Sequence, residues 1–449
     1  MESTEKLLLD GVRIIDLTTT YAGPIASKIC SEMGAEVIKI EAIQRWDMTR
    51  GLCFPDNEPG DEPWNRGGIF HEFNNNKLGI AVNLGQPKGQ EILKKLVELS
   101  DVVIENFSPR VMRNWQLDYE NLRQVNDRLI MVSISGFGQT GPWKDRAAYA
   151  PVMEACAGFA SFTLDSNGEP QLSIGLGDLI AGVAAVAGML LALINRKRNG
   201  EGEYIDVAGR EAMLCHIGEA IMDYVMNSRV WDRDDCYSWG TLESIYPCKG
   251  NDEWIVISIN GEQEWVELCQ IMGGPDWTRD DKFSNVLKRW QNREEVKKLI
   301  GEWTYQFDHF YLMEVLQNAG IAGLAVLNCK EIIFNPHLLE RKFPFLVEQP
   351  GITGVRPFPR FMPVHLSGVA EVGSHRPAPM LGQDNEKILT ELLGFSKEEM
   401  TKLEEEKIIG IVPLNFPRTK GLNIDSAVRN QSCTIDGSWL RELIETFGE

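Results

Sequence analysis

The chain has 449 residues, 43% of them hydrophobic and 24% charged, an ordinary folded composition too long for one simple core, so two domains are expected. Forty-five Lys and Arg against 65 Asp and Glu give a net charge of −20, which disfavours nucleic acid and anionic membrane as partners and requires a local basic patch for any anionic ligand. Nine cysteines run from Cys30 to Cys433 without a C-x-x-C pair or zinc spacing; they read as reduced thiols, with no disulfide framework and no metal site.

Met1 to Leu9 lacks the apolar core of a signal peptide, and the longest apolar stretch, Val183 to Ile194, is shorter than a membrane span. A soluble cytoplasmic protein is expected. In chain order, Val12 to Leu17 is a β-type run, Pro24 to Met33 a helix and Glu36 to Ile40 a second β-type run, which makes a βαβ unit. Gly79 to Leu84, a helix from Lys88 to Leu99, a strand Val102 to Glu105, a helix near Tyr119 to Val125 and a strand Leu129 to Ser135 continue the alternation. The spacing predicts an α/β fold with a Rossmann-like parallel sheet covered on both faces.

A small-residue helix, Ala181 to Leu193, leads through a basic turn, Asn195 to Gly202, to a strand, Tyr204 to Val207, and a long helix from Arg210 to Met226. Residues 225–330 read as a smaller α/β domain: loop-like from Trp231 to Ser244, a strand Trp254 to Ile259, and helices Gln263 to Met272, Arg293 to Thr304 and Tyr311 to Asn318. The large domain is thus 1–224, completed by a return segment 331–410 whose proline-rich part, Pro336 to Pro363, is expected to wrap a surface. Gly382 to Leu393 and Ser396 to Leu403 read as helices. A tail, 411–449, ends in an amphipathic helix, Trp439 to Phe447.

Gly177-Asp178 is the pair that carries most chemistry. A carboxylate where a glycine loop enters a helix sits by free N–H donors and the positive end of the macrodipole, which would hold it ionised and aimed at a cavity, as a carboxylate nucleophile requires. The plainer role for an aspartate there is N-capping. Gly175-Leu176-Gly177-Asp178-Leu179-Ile180-Ala181 also fits the dinucleotide pattern G-x-G-x-x-G/A, with Asp206 downstream. An ionised Asp178 would oppose a pyrophosphate on the same donors, so the match is weak.

Several separated motifs, LDGVRIIDLTTTYAGP (Leu9 to Pro24), GAEVIKIE (Gly34 to Glu41), DMTRG (Asp47 to Gly51), NNNKLGIAVNL (Asn74 to Leu84), DVVIENF (Asp101 to Phe107), SGFGQTGP (Ser135 to Pro142), GDLIAGVAAVAGMLLAL (Gly177 to Leu193) and PAPMLGQDNEKIL (Pro377 to Leu389), resemble the family III CoA-transferases. The resemblance runs from about Leu9 to Ile409 and implies an enzyme of the CoA-transferase type that binds CoA and acyl-CoA as substrates and keeps no permanent cofactor. It implies that Asp178 is the nucleophile, forming an acyl anhydride and then an aspartyl-CoA thioester. Thr19, Tyr21 and Ala22 are implied at the pantetheine and thiol, Val82 and Leu84 on the adenine side, Asn106 and Phe107 after the strand Val102 to Glu105, and Tyr149 near the CoA and active site. Ordinary core packing is the competing reading for Val82, Leu84 and Phe107.

The sequence departs from formyl-CoA transferase at Thr19 and Tyr21, which stand for a histidine and a glutamine and argue against a formyl or oxalate substrate. Arg45, Arg110 and Arg113 are left as phosphate partners, and the glycine-rich lid is reduced to Asn260-Gly261-Glu262-Gln263. Twelve tryptophans, among them Trp231, Trp239 and Trp254, favour either an aromatic acceptor pocket or plain packing; succinyl-CoA with a benzylsuccinate-like acceptor is the favoured pair. Two rival readings are an acyl-CoA racemase, whose histidine is Tyr149 here and whose chemistry a phenol serves poorly, and a noncatalytic CoA-binding subunit. Family resemblance further implies an interlocked dimer, as a homodimer or with a homologous subunit.

Overall fold

Runs of Val and Ile that are apolar on both sides can only be satisfied between two layers of helix. The computed structural model describes residues 6–163, 169–172, 175–230, 242–349, 354–369, 372–373, 376–418, 421, 424–429 and 435–447. Its main sheet has the order β3-β2-β1-β4-β5-β6, built from β1 (Arg13–Asp16), β2 (Glu36–Glu41), β3 (Leu78–Ala81), β4 (Val102–Glu105), β5 (Ile130–Ser135) and β6 (Glu203–Ala208). Every neighbouring pair is parallel. This is the Rossmann-like α/β fold that the sequence predicts.

The connecting helices are α1 (Ala22–Glu32), α2 (Gly68–Asn74), α3 (Pro87–Glu98), α4 (Arg110–Asn114), α5 (Tyr119–Leu122), α6 (Ala150–Cys156), α7 (Leu176–Asn199) and α8 (Gly209–Leu214). Strand alternation sends Ile14, Val37, Val102 and Ile130 into one core with α1 and α7. Ile15, Ile38, Val103 and Met131 enter the other, with α3.

Helix α7 is longer than its apolar stretch. It absorbs the predicted basic turn, because Arg196, Lys197 and Arg198 lie in its last turn and Gly200, at φ 84°, ends it, where cations suit the C-terminal carbonyls and glycine suits the left-handed position. At 24 residues it is long and apolar enough by length and composition to cross a membrane, which corrects the expectation that no such span exists. It is instead laid against α1. A Cβ on Gly182 would lie 2.8 Å from the Ala22 carbonyl oxygen, so only glycine allows the two helices to cross this closely. The predicted long helix from Arg210 is also corrected. It breaks between α8 and α9 (Gly218–Asn227), where His216 and Ile217 make short-range bonds to Met213 and Leu214.

The chain divides into two compact units, Met1–Glu219 with Pro336–Glu449, and Ala220–Asn335. In the second, β7 (Leu242–Pro247), β8 (Trp254–Ile259) and β9 (Ala322–Ala325) form an antiparallel sheet. Helices α10 (Glu262–Ile271), α11 (Val286–Gln291), α12 (Arg293–Thr304), α13 (His309–Asn318) and α14 (Cys329–Ile333) accompany it. Its core joins Ile255 and Ile257 to Trp265, Phe283 and Ile300. The stretch read as loop to Ser244 is strand from Leu242; residues 231–241, with Trp231 and Trp239, lie outside the described residues.

The return segment starts with α15 (Pro336–Glu340) and an antiparallel pair, β10 (Pro344–Gln349) and β11 (Gly354–Pro359). It is therefore a ribbon rather than an irregular wrap, and a two-stranded ribbon tolerates its prolines because each strand has an unpaired edge. A π-helical turn, Lys387–Leu392, and α16 (Lys397–Glu405) follow, then α17 (Ile424–Arg429) and α18 (Trp439–Phe447). Asp384 Oδ2 accepts the Gly79 N–H at 2.7 Å and Asn385 Oδ1 the Ala81 N–H at 2.9 Å. These side chains close the open edge of β3.

Candidate active site

In the sheet order, strands are added on one side of β1 and then, from β4, on the other, and in such folds the loops leaving the two strands diverge and open a crevice at their carboxyl ends. Here the loop after β1 and the loop after β4 are tied across that gap. The Thr19 N–H donates to Asn106 Oδ1 at 2.9 Å and Asn106 Nδ2 donates to the Thr19 carbonyl at 2.8 Å. A cavity of about 320 Å³ opens there, lined by Thr19, Tyr21 and Ala22 on one side, Asn106 and Phe107 on another, and Tyr149 and Asp178 on a third. Arg45, Lys144 and Arg146 line it as well. Three cations in one cleft supply the local basic patch that a chain of charge −20 needs for an anionic ligand.

The loop after β1 rests on buried charges. Lys77 Nζ meets Asp16 Oδ2 at 2.9 Å, Lys39 Nζ meets Asp47 Oδ2 at 3.2 Å, and Arg50 meets Glu41 at 2.6 Å, all essentially without solvent access. Lys39 also donates to the Thr18 carbonyl at 2.8 Å, and Asp47 accepts the Thr20 N–H at 3.2 Å. Thr20 is thereby held at φ 73°, a left-handed conformation that a β-branched residue adopts only when its surroundings over-determine it. Burial alone would raise the Asp16 pKa, but Lys77 and Lys39 outweigh it and hold the group at about 2. Sequence reading passed over Asp16, Lys39 and Asp47, although a Lys and an Asp inside branched apolar strands, in Val37-Ile38-Lys39-Ile40 and Ile14-Ile15-Asp16, are a signal of buried pairing.

Asp178 is the third residue of α7, whose N-cap is Gly175 at φ 78°. The capping role is thus not its own, and among the described residues its carboxylate makes no hydrogen bond or ion pair. The expected stabilisation of its charge by the helix end is corrected. Burial, with Glu154 second, raises its pKa to about 6, because desolvation and a like charge both disfavour the ionised form. The dinucleotide pattern fails on the same residues. The Gly177 N–H is already donated to Glu154 Oε1 at 3.2 Å, and Asp206 accepts the Gln139 N–H at 2.9 Å.

The other predicted positions separate from this cleft. Val82 and Leu84 are buried in the second core, and neither they, Arg110 nor Arg113 line the cavity. Asn260-Gly261 lies in the second unit, joining β8 to α10, with the Asn260 N–H donated to Glu264. Trp254 lies on β8, its ring N–H donated to Asp252. Lys144, Arg146 and Glu154 were missed, since none belongs to a periodic or motif signal. Among the described residues no histidine lines the cleft. Among the described residues one group of possible metal ligands occurs, Glu253, His309 and Glu331 in the second unit. Glu253 lies 2.9 Å from Nδ1 and Glu331 3.4 Å from Nε2 of His309, so each ring nitrogen faces a carboxylate.

Residues 9–385 match the family described as CoA-transferase family III. The chain belongs to CoA-transferase family III. It is 30% identical to the succinyl-CoA–D-citramalate CoA-transferase of Chloroflexus aurantiacus over 89% of this chain and 98% of that one. It is also 30% identical to the succinyl-CoA:glutarate CoA-transferase of Homo sapiens, over 88% of each. Among solved structures it is similar to a CAIB/BAIF family protein from Brucella suis, with a TM-score of 0.77 and 26% identity over 86% of this chain and all of that one. The chain is a CoA-transferase.

Proposed function

We propose that this CoA-transferase moves CoA from succinyl-CoA to a second dicarboxylic acid, with Asp178 as the nucleophile. Asp178 attacks the thioester carbonyl; its oxygen forms a bond to that carbon as the C–S bond breaks, and the electron pair leaves on sulfur. The CoA thiolate then attacks the aspartyl carbonyl of the mixed anhydride, releasing succinate and leaving an aspartyl-CoA thioester. An acceptor carboxylate repeats the exchange in reverse and leaves as the new thioester, with Asp178 free again. Every intermediate is an acid derivative of like reactivity, so no step is steeply uphill.

The observation that carries this reading is that Asp178 is, among the described residues, the one carboxylate lining a cleft otherwise furnished with cations, Arg45, Lys144 and Arg146. Thr19, Tyr21, Ala22, Asn106, Phe107 and Tyr149 are proposed as CoA contacts, with Arg113 farther along the nucleotide. The cations serve the phosphates and the remote carboxylate of a dicarboxylate. Relatives named for succinyl-CoA with citramalate or glutarate support that class, of which a benzylsuccinate-like acid is an aryl-substituted member. Among the described residues the cleft lining offers no imidazole, which favours transfer over racemisation. The test is CoA exchange from succinyl-CoA to a panel of acids. Dicarboxylates should exceed matched monocarboxylates in kcat/KM by at least about tenfold, since one satisfied charged contact contributes about 1.5–3 kcal/mol; equal rates would refute the acceptor class.

A further inference from the structure

We propose that Glu154 is a positioning residue for Asp178, its buried carboxylate anchoring the first turn of α7 through the Gly177 amide and holding a like charge against the nucleophile. The inference rests on the nucleophilic reading of Asp178. The first N–H groups of a helix have no partner within it, and Gly175, as N-cap, has no side chain to offer them. Glu154 comes from α6 to fill that gap: it is 1% exposed and accepts the Gly177 N–H at 3.2 Å. The junction leaves it little freedom, because a Cβ on Gly177 would lie 3.1 Å from Met213 Sδ and 3.4 Å from the Ala150 carbonyl.

Several charged groups on the neighbouring elements have partners of their own. Lys28 and Glu32 of α1 pair at 3.1 Å, Arg210 of α8 donates to the Cys156 carbonyl, and Asp206 of β6 holds Gln139. Tyr21, Tyr149, Arg45, Lys144 and Arg146 line the cleft, Glu72 stands near Tyr21, and Glu211 lies on α8. Beyond burial, it is Glu154 that raises the Asp178 pKa.

A like charge beside the nucleophile has a consequence for catalysis as well as for titration. The free carboxylate is disfavoured, and acylation relieves it: as the Asp178 oxygen bonds to the thioester carbon and the electron pair leaves on the CoA sulfur, the charge next to Glu154 disappears. Ground-state repulsion that vanishes along the reaction favours the acyl-enzyme. The two effects are therefore tied together. Each unit by which loss of the Glu154 charge lowers the Asp178 titration should cost about tenfold in the ratio of acylated to free enzyme.

E154Q tests this, since the amide oxygen still accepts the Gly177 N–H while the charge is gone; E154M is a second neutral variant should the first fold poorly. The acid limb of kcat/KM should move to lower pH in E154Q, and the acyl adduct at fixed succinyl-CoA should fall by the matching factor. E154M, without the anchor, should lose kcat at every pH with KM little changed. An acid limb in E154Q that coincides with the wild type overturns the inference. Infrared difference spectra against D178N follow the Asp178 carboxyl directly: its titration should move to lower pH in E154Q. That reading holds even if wild-type enzyme shows no adduct, the result that would instead overturn the nucleophilic role.

Discussion

The two walls of the cleft are built in opposite ways. The loop after β1 is over-determined: Thr18, Thr19 and Thr20 are each held through the backbone by Lys39, Asn106 and Asp47, and Lys39 and Asp47 are themselves paired. The start of α7 is loose only at its reacting group: Glu154 anchors the Gly177 N–H, while among the described residues the Asp178 carboxylate makes no hydrogen bond or ion pair. The contrast separates two tasks. A surface that fits a ligand gains from rigidity set in advance, because no ordering remains to be done on binding, whereas a nucleophile is weakened by every hydrogen bond its lone pairs already make.

The largest effect should come from the loose wall. D178A is expected to lower kcat by at least about 10⁴-fold, the order found when a covalent nucleophile is removed. Because a carboxylate with a raised pKa opposes folding once it ionises, the same change should leave the thermal midpoint at pH 7 unchanged or higher; a large loss of stability would show Asp178 to be structural. The tight wall should behave the other way. Asp47→Ala leaves Lys39 buried without its partner and strips the Thr20 N–H of its acceptor, and is expected to destabilise by about 3–5 kcal/mol in urea unfolding, with activity lost through folding.

Asn106→Ala probes the seam between the loops. Losing both bonds to Thr19 should cost about 1–3 kcal/mol and raise KM for acyl-CoA more than it lowers kcat. The smallest perturbation is pH. With Asp178 at about 6 and the anion as the attacking form, kcat/KM should fall about tenfold per unit below pH 6 and level off above it. Asp16 titrates the opposite way: its pKa is lowered from 3.8 to about 2, so its stabilisation is present above about pH 4 and lost as pH falls toward 2. Activity should therefore fail well before the fold does. Coincident losses would break the distinction between the walls.

Much of the sheet was legible, because branched apolar runs of four to six residues between helices report their own burial; Val102–Glu105 and Trp254–Ile259 are delimited residue for residue. Helix ends were less so. The basic run Arg196–Arg198 looks like a turn in isolation and belongs to α7 only because Gly200 and the carbonyls ahead of it complete the helix. The site divides on the same principle. Asp178, Thr19, Tyr21, Ala22, Asn106, Phe107 and Tyr149, which line one cavity, were picked out through motifs; Glu154 and Lys39 were not, since their roles depend on contacts between elements distant in sequence. Val82 and Leu84, drawn from the same motifs, sit in the core.

Mass spectrometry of the protein incubated with succinyl-CoA, with and without hydroxylamine, is the most direct test of the central claim. The account predicts an acyl or CoA adduct on the peptide carrying Asp178, converted by hydroxylamine to a hydroxamate at that residue and absent from D178A. Turnover in the wild type with no adduct there, or undiminished turnover in D178A, would contradict it.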